Sequence, residues 1–319
     1  MVTEISTDIP KAVSLLKNAA CVAIPTETVY GLAANALDTV VVAKIFEIKN
    51  RPFFDPLIIH TDTLQKVYKY VKGIPEAAVL LAKKFWPGPL TLLLPRADCI
   101  PDLVTSGLER VAVRIPNHPL TLELLSHLDF PLAAPSANPF GYISPTKASH
   151  VYDQLQGKIA LILDGGDCAV GLESTIVGFE NEQPIVYRLG GLSIEAIEQV
   201  VGKVKVMPHS SSSPLSPGML QSHYAPRKPL IFEHFDQAMS DYSPAEIGTI
   251  CFQHPRAGIP LQNQYLLSSE GDLTQAASAL FATMRKLDAT DLKLIFAERF
   301  PENGLGLAIN DRLRRASAT

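Results

Sequence analysis

Tryptophan occurs once in 319 residues, cysteine four times and methionine five times. Cys21, Cys99, Cys168 and Cys251 are scattered and form no CxxC pair, so neither a disulfide framework nor a thiolate zinc site is expected. Only 19% of the chain is charged, and 28 Lys and Arg against 32 Asp and Glu leave a net charge of -4. A protein that coats nucleic acid or an anionic membrane carries the opposite balance. No apolar run is long enough to cross a bilayer. The opening stretch MVTEISTDIPKAVSLL has acids where a secretory signal needs bases. Also missing are GxGxxG, a Walker GxxxxGK[ST], the GxSxG elbow and HExxH. Gly166 and Gly171 have the Walker spacing, but Leu-Glu-Ser follows them. These absences predict a cytoplasmic protein outside the commonest enzyme signatures.

What is present is apolar: 47% hydrophobic residues, ample for real cores in a chain of about two domains' length. Through the first two hundred or so residues, β-branched runs alternate with helical periodicities. Strands are predicted at Cys21–Ile24, Leu57–His60, Leu90–Leu94, Val111–Ile115, Leu132–Ala134, Ile159–Leu163, Thr175–Phe179 and Ile185–Tyr187. Helices are predicted at Thr39–Lys49, Pro75–Phe85, Leu120–Leu128, Lys147–Leu155 and Ile194–Val201, with Thr146 and Ser193 as N-caps. Consecutive strands lacking a helical spacer indicate a sheet that is not purely parallel. At Met207 the composition changes to MPHSSSSPLSPGMLQSHYAPRKP, too rich in Ser and Pro to continue an element. The expected division is 1–206, a linker at 207–229, and a smaller α/β domain at 230–319. The latter has strands at Leu230–Phe232, Ile247–Phe252 and Leu294–Glu298 and a helix at Leu273–Leu287.

Polar clusters sit where strands end, the place at which open α/β sheets bind ligands. Thr26-Glu27-Thr28 follows the first buried strand and reads as a capped turn or a ligand loop. Lys49, Arg51 and Asp55 lie between a helix and the strand that closes on His60. The two cations are either a solvated helix cap favoured by the macrodipole or a phosphate clamp stiffened by Pro52 and Pro56. Arg114 ends an apolar strand, where a charge needs a partner, either an internal carboxylate or that of a ligand. Small and hydroxyl residues run from Ala134 through Ser136 to Ser144, and Ser174 and Arg188 flank two later strands. Asp164-Gly165-Gly166-Asp167 reads as a tight turn, Trp86 as a core anchor at a helix stop, and Arg312, Arg314 and Arg315 as a short basic tail.

PTETVYGL, KNRPFFDPLIIH, VAVRIPNHP, APSAN, ESTIVGF and YRLGG, in this order, resemble the YrdC-like domain of threonylcarbamoyl-AMP synthases. SPGMLQSHYAP and the trailing domain are similar to the long, two-domain form. The resemblance implies a YrdC-like twisted mixed-sheet domain followed by a smaller Rossmann-like α/β domain. It also implies condensation of L-threonine, bicarbonate or CO2, and ATP into threonylcarbamoyl-adenylate and pyrophosphate, for threonylcarbamoyladenosine modification of tRNA. Thr28, His60, Arg114, the Ala134 backbone and Ser174 would hold threonine. Lys49, Arg51, Asp55, Ser136, Ser144, Arg188 and Tyr224 would hold ATP. Asp55 stands where the family often has Asn, which favours a ribose or Mg2+ contact; Arg110 replaces a usual Thr or Ser and is left out of the site. No protein nucleophile is implied and no protein metal site, since Mg2+ would ride mainly on the ATP phosphates. Met219, Leu220, His223 and Tyr224 suit a lid over the cleft, with a passive tether as the alternative. The product would pass to the tRNA threonylcarbamoyl-transferase machinery, with room for a weak tRNA contact.

Other classes fit less well. An RNA-binding module conflicts with the net acidity and the lack of basic–aromatic interleaving. A hydrogenase-maturation carbamoyltransferase would bring zinc-finger cysteines and an acylphosphatase-like segment. A regulatory protein whose trailing domain senses a ligand is the third alternative.

Overall fold

The computed structural model describes residues 1–207, 216, 217 and 223–318, so Met219 and Leu220 of the expected lid lie outside the described residues. In the first region the strands are β1 (Glu4–Ser6), β2 (Val22–Ile24), β3 (Gly31–Asn35), β4 (Ile58–His60), β5 (Leu90–Pro95), β6 (Arg110–Arg114), β7 (Leu132–Ala133), β8 (Leu161–Leu163), β9 (Thr175–Glu180), β10 (Gln183–Arg188) and β11 (Lys205–Val206). They form one sheet in the order β1-β8-β2-β3-β7-β4-β6-β5-β9-β10-β11. The sheet is mixed, with β2–β3, β5–β6 and β9–β10 antiparallel and β4–β6 and β5–β9 parallel.

Strand β3 is not expected from its sequence, because Gly-Leu-Ala-Ala-Asn has weak strand propensity. It forms because the Thr26 turn reverses the chain and sets it between β2 and β7, burying all but Asn35. Helix Thr39–Lys49 opens on Asp38, whose carboxylate accepts from Val40 N and Val41 N, and closes at Asn50 in the left-handed region (φ 52). Its buried face carries Val41, Val42, Ile45 and Phe46, each contributing roughly 1.5–3 kcal/mol on full burial. The same face delivers Lys49 inward, and the Asn50 turn then aims Arg51 at the sheet edge. Ser193 caps its helix by accepting from Ala196 N. Thr146 does not cap: Lys147 occupies that position without a side-chain bond, and Thr146 is buried in the preceding loop. Trp86 ends its helix as expected, donating Nε1–H to Leu90 O.

The second region has β12 (Leu230–Phe232), β13 (Ile247–Cys251), β14 (Gln264–Leu266) and β15 (Leu294–Ala297), all parallel in the order β12-β15-β13-β14. Helices Leu273–Asp288 and Gly306–Ala316 accompany the sheet. Val29, Ile143, Leu172 and Tyr224 pack into one apolar cluster with Leu280, Phe281 and Met284 of the long helix. The backbones come close there: at Gly171 (φ 71) a Cβ would lie 2.5 Å from Ser278 Cα, so only glycine fits.

Candidate functional site

The pairing register explains why distant motifs meet. His60 is opposite Arg114, Arg114 is opposite Thr91, and Leu90 is opposite Thr175. Arg188 pairs with Ile176, and Leu132 with His60. The ends of β4, β6 and β10 and the starts of β5, β7 and β9 therefore share one edge of the sheet. A cavity opens there. Thr28, His60, Arg114, Ala134 and Ser174, together with Arg51, Ser136, Arg188 and Tyr224, all line it. Lys49, Asp55 and Ser144 stand just behind its wall.

On one side, Thr26 Oγ1 accepts from Thr28 N and Val29 N and shapes the turn, as a threonine at a strand end does. Arg114 is 3% exposed and has an internal partner, Glu27, whose Oε1 is 2.8 Å from Nη2. The guanidinium also donates to Thr28 Oγ1 at 2.8 Å and to Gly88 O at 3.2 Å. Burial, then the nearby Arg114 charge, pushes the His60 pKa down to about 3. The imidazole is thus neutral near pH 7, with Nδ1 3.2 Å from Ile58 O. Ala134 and Ser136 begin a loop laid against β3, with Leu32 N donating to Pro135 O and Ala137 N to Tyr30 O.

On the other side, Arg51 is held by Asp55 Oδ2 at 2.9 Å and donates to Asp55 O and Pro56 O. Asp55 is fully buried, so it orients Arg51 rather than projecting into the cavity. Lys49 Nζ donates to Ser136 O and Asn138 O, both at 2.5 Å, and braces that loop. Burial, then the Arg51 charge, holds its ammonium well below the usual lysine range. Arg188 donates to Ser174 O through Nε and Nη2, to Ser174 Oγ at 3.0 Å and to Pro217 O. Ser174 Oγ in turn is 2.7 Å from Thr91 Oγ1. Arg110 is away from the cavity, bonding Tyr187 OH.

Of the expected lid, Pro217, His223 and Tyr224 line the cavity. Tyr224 has a left-handed backbone (φ 68), costly for an aromatic residue unless its surroundings impose it. Its ring stacks on Phe281 at 5.5 Å and lies beneath the guanidinium groups of Arg312 and Arg315 at 5.0 and 4.8 Å. His223 packs edge-on against both Tyr224 and Phe140.

Residues 14–190 match the Sua5/YciO/YrdC family model, described as telomere recombination. Residues 192–318 match the model described as the threonylcarbamoyl-AMP synthase C-terminal domain. The chain is 41% identical to the threonylcarbamoyl-AMP synthase of Pyrococcus abyssi, over 96% of this chain and 93% of that protein. It is also 41% identical to that of Bacillus subtilis, over 98% and 95%. The chain belongs to the threonylcarbamoyl-AMP synthase family. The crystal structure of P. abyssi Sua5 complexed with L-threonine is similar throughout, with a TM-score of 0.91 at 38% identity over 99% of this chain and 98% of that one.

Two parts of this family member's cleft had no role assigned from sequence. Glu27 and Glu173 stand inside recognised motifs, yet nothing in the sequence marks Glu173 as a cavity-lining carboxylate or Glu27 as the partner behind Arg114. Arg312 departs from the expectation that it forms a basic tail with Arg314 and Arg315. In the structure Arg312 is completely buried and Arg315 nearly so, and Arg314 alone of the three is exposed. The signal lay in helix Gly306–Ala316, where Asp311, Arg312 and Arg315 put two of those cations on the face that carries Ile309 and Leu313.

Proposed function

We propose that the chain condenses L-threonine, bicarbonate or CO2, and ATP into threonylcarbamoyl-adenylate and pyrophosphate. The observation that carries this reading is one cavity lined both by Arg114 with Thr28 and His60, a first wall, and by Arg51 with Arg188, a second. The first wall suits a zwitterion bearing a hydroxyl: Arg114 for the carboxylate, Thr28 and Ser174 for polar contacts, and neutral His60, which does not repel an amine. The second suits a polyanion. Arg51 and Arg188 carry the charge, while Asp55 orients Arg51, Lys49 braces the Ser136 loop and Ser144 holds Glu173.

No side chain has to attack. The amine of threonine adds to CO2 and loses a proton, giving a carbamate; the carbamate oxygen then attacks the α-phosphorus, and pyrophosphate leaves. The protein's contribution is orientation and neutralisation of charge, the large terms in transfer at phosphorus. A carbamate hydrolyses readily, so exclusion of water matters. Tyr224 and His223 roof the cavity and suit that role. The donor set fits a Mg2+ carried by the triphosphate: no group of three His, Cys, Asp or Glu able to hold a metal occurs among the described residues, and Glu27, Asp55 and Glu173 each face an arginine. When bound, Mg2+ would neutralise phosphate charge alongside Arg51 and Arg188.

The product is read as the donor for a transferase that modifies tRNA in the cytoplasm; no helix among the described residues is long and apolar enough to cross a membrane. Incubation with isotopically labelled bicarbonate tests the reaction. Label should enter an adenylate only when threonine and ATP are both present, one pyrophosphate forming per product. Pyrophosphate release that is indifferent to threonine would overturn the reading.

A further inference from the structure

Glu173 is a carboxylate in the wall of a cavity meant for anions. Left ionised and unopposed, it would repel a triphosphate or seize the nearest cation. That cation is Arg188: Ser174, the residue after Glu173, holds the Arg188 guanidinium through its carbonyl and hydroxyl, and the two charges lie within Coulombic reach. The structure directs Glu173 elsewhere. Its Oε2 is 2.8 Å from Nε of Arg312, which belongs to the last helix of the second domain. Its Oε1 accepts from Ser144 Oγ at 2.6 Å. Arg312 is fully buried and donates in addition to Leu189 O at 2.8 Å, next to Arg188, while its face covers Tyr224. Burial alone would raise the Glu173 pKa, but Arg312 and Arg188 outweigh it and keep the carboxylate ionised.

We infer that Arg312 is a positioning residue: by occupying Glu173, it leaves Arg188 available to the anionic ligand and sets Tyr224 over the cleft, so the nucleotide side of the site is complete only with the second domain. A buried pair of this kind contributes little to net stability compared with an apolar substitute, so its use lies in directing charge. The inference rests on reading the cleft as the ATP site.

Arg312→Met in the full chain breaks the pairing. ATP affinity measured by calorimetry should fall about 30-fold, roughly 2 kcal/mol, with L-threonine affinity changed by no more than about threefold. Adding Glu173→Gln removes the competing charge, and the double variant should recover ATP affinity to within about fivefold of the parent, a coupling of the size that contacting residues show. If Arg312 merely holds the domains together, the second substitution restores nothing, and the inference fails. Where Arg312→Met does not fold, Arg312→Lys retains a cation with poorer geometry; its smaller ATP-specific loss should likewise be reversed by Glu173→Gln, and no reversal refutes the proposal. If the parent chain binds no ATP, the functional reading itself fails, whatever the variants do.

Discussion

Two of the buried carboxylate–arginine pairs at the cleft work in opposite senses. Glu27–Arg114 lies within the first domain, and its arginine is the cavity-facing partner, oriented by a carboxylate behind it. Glu173–Arg312 bridges the two domains, and there the carboxylate faces the cavity while the arginine behind it masks the charge. On the proposed reading the first pair builds an anion contact and the second prevents an unwanted one. Identical chemistry therefore serves two ends according to which partner is turned toward the ligand. The first wall could exist in a single-domain protein, whereas the second needs the trailing helix.

Substitutions that break this contrast should differ in both size and substrate. Arg114→Ala is expected to have the largest effect, raising the KM for threonine about 100-fold while the KM for ATP moves only severalfold. It leaves Glu27 buried without a counter-charge and should cost about 3–5 kcal/mol by denaturant unfolding. Equal effects on both substrates would remove Arg114 from the carboxylate. Tyr224→Ala comes next. Losing a buried aromatic ring should cost about 3 kcal/mol and raise the KM for ATP more than that for threonine, since the ring belongs to the interdomain wall.

Acid should act on the threonine wall through His60. Its folded pKa of about 3 lies below the ordinary histidine value near 6.5, so between those limits the unfolded chain binds a proton that the folded chain does not. This contribution is fully present above pH 6.5 and is lost as pH falls, amounting to about 2 kcal/mol by pH 5. Thermal unfolding of His60→Gln should show a shallower dependence over this window; an unchanged slope would place the titration elsewhere. The smallest effect belongs to a surface pair: Lys11–Glu4, with side chains 41% and 48% exposed, should lose at most about 0.5 kcal/mol in Lys11→Ala.

Strands with apolar runs and helices with clear caps were readable from the sequence, among them Thr39–Lys49, Ile194–Val201 and Leu230–Phe232. Elements whose signal depends on tertiary setting were not. Strand β3 is made of small residues and exists because of its neighbours. Strands β1 and β11 are short and largely exposed, with no apolar alternation. Helix Gly306–Ala316 buries Asn310, Asp311, Arg312 and Arg315, which conceals its amphipathic period. The motifs announced the cavity-lining residues Thr28, Arg114, Ser174 and Arg188 because hydroxyls and cations at strand ends are conspicuous. The residues behind them went unassigned for the converse reason: a buried partner such as Glu27 or Arg312 is defined by what it touches, and contacts between positions far apart in the chain leave no local pattern.

The central claim, that one cleft seats an amino acid against a nucleoside triphosphate, is tested most directly by a crystal structure with L-threonine and a non-hydrolysable ATP analogue bound together. The account predicts the threonine carboxylate at Arg114 and the phosphates at Arg51 and Arg188, with the α-phosphorus on the side of the threonine amine. Ligands lodged in separate places, or phosphates lying against Arg114, would contradict it.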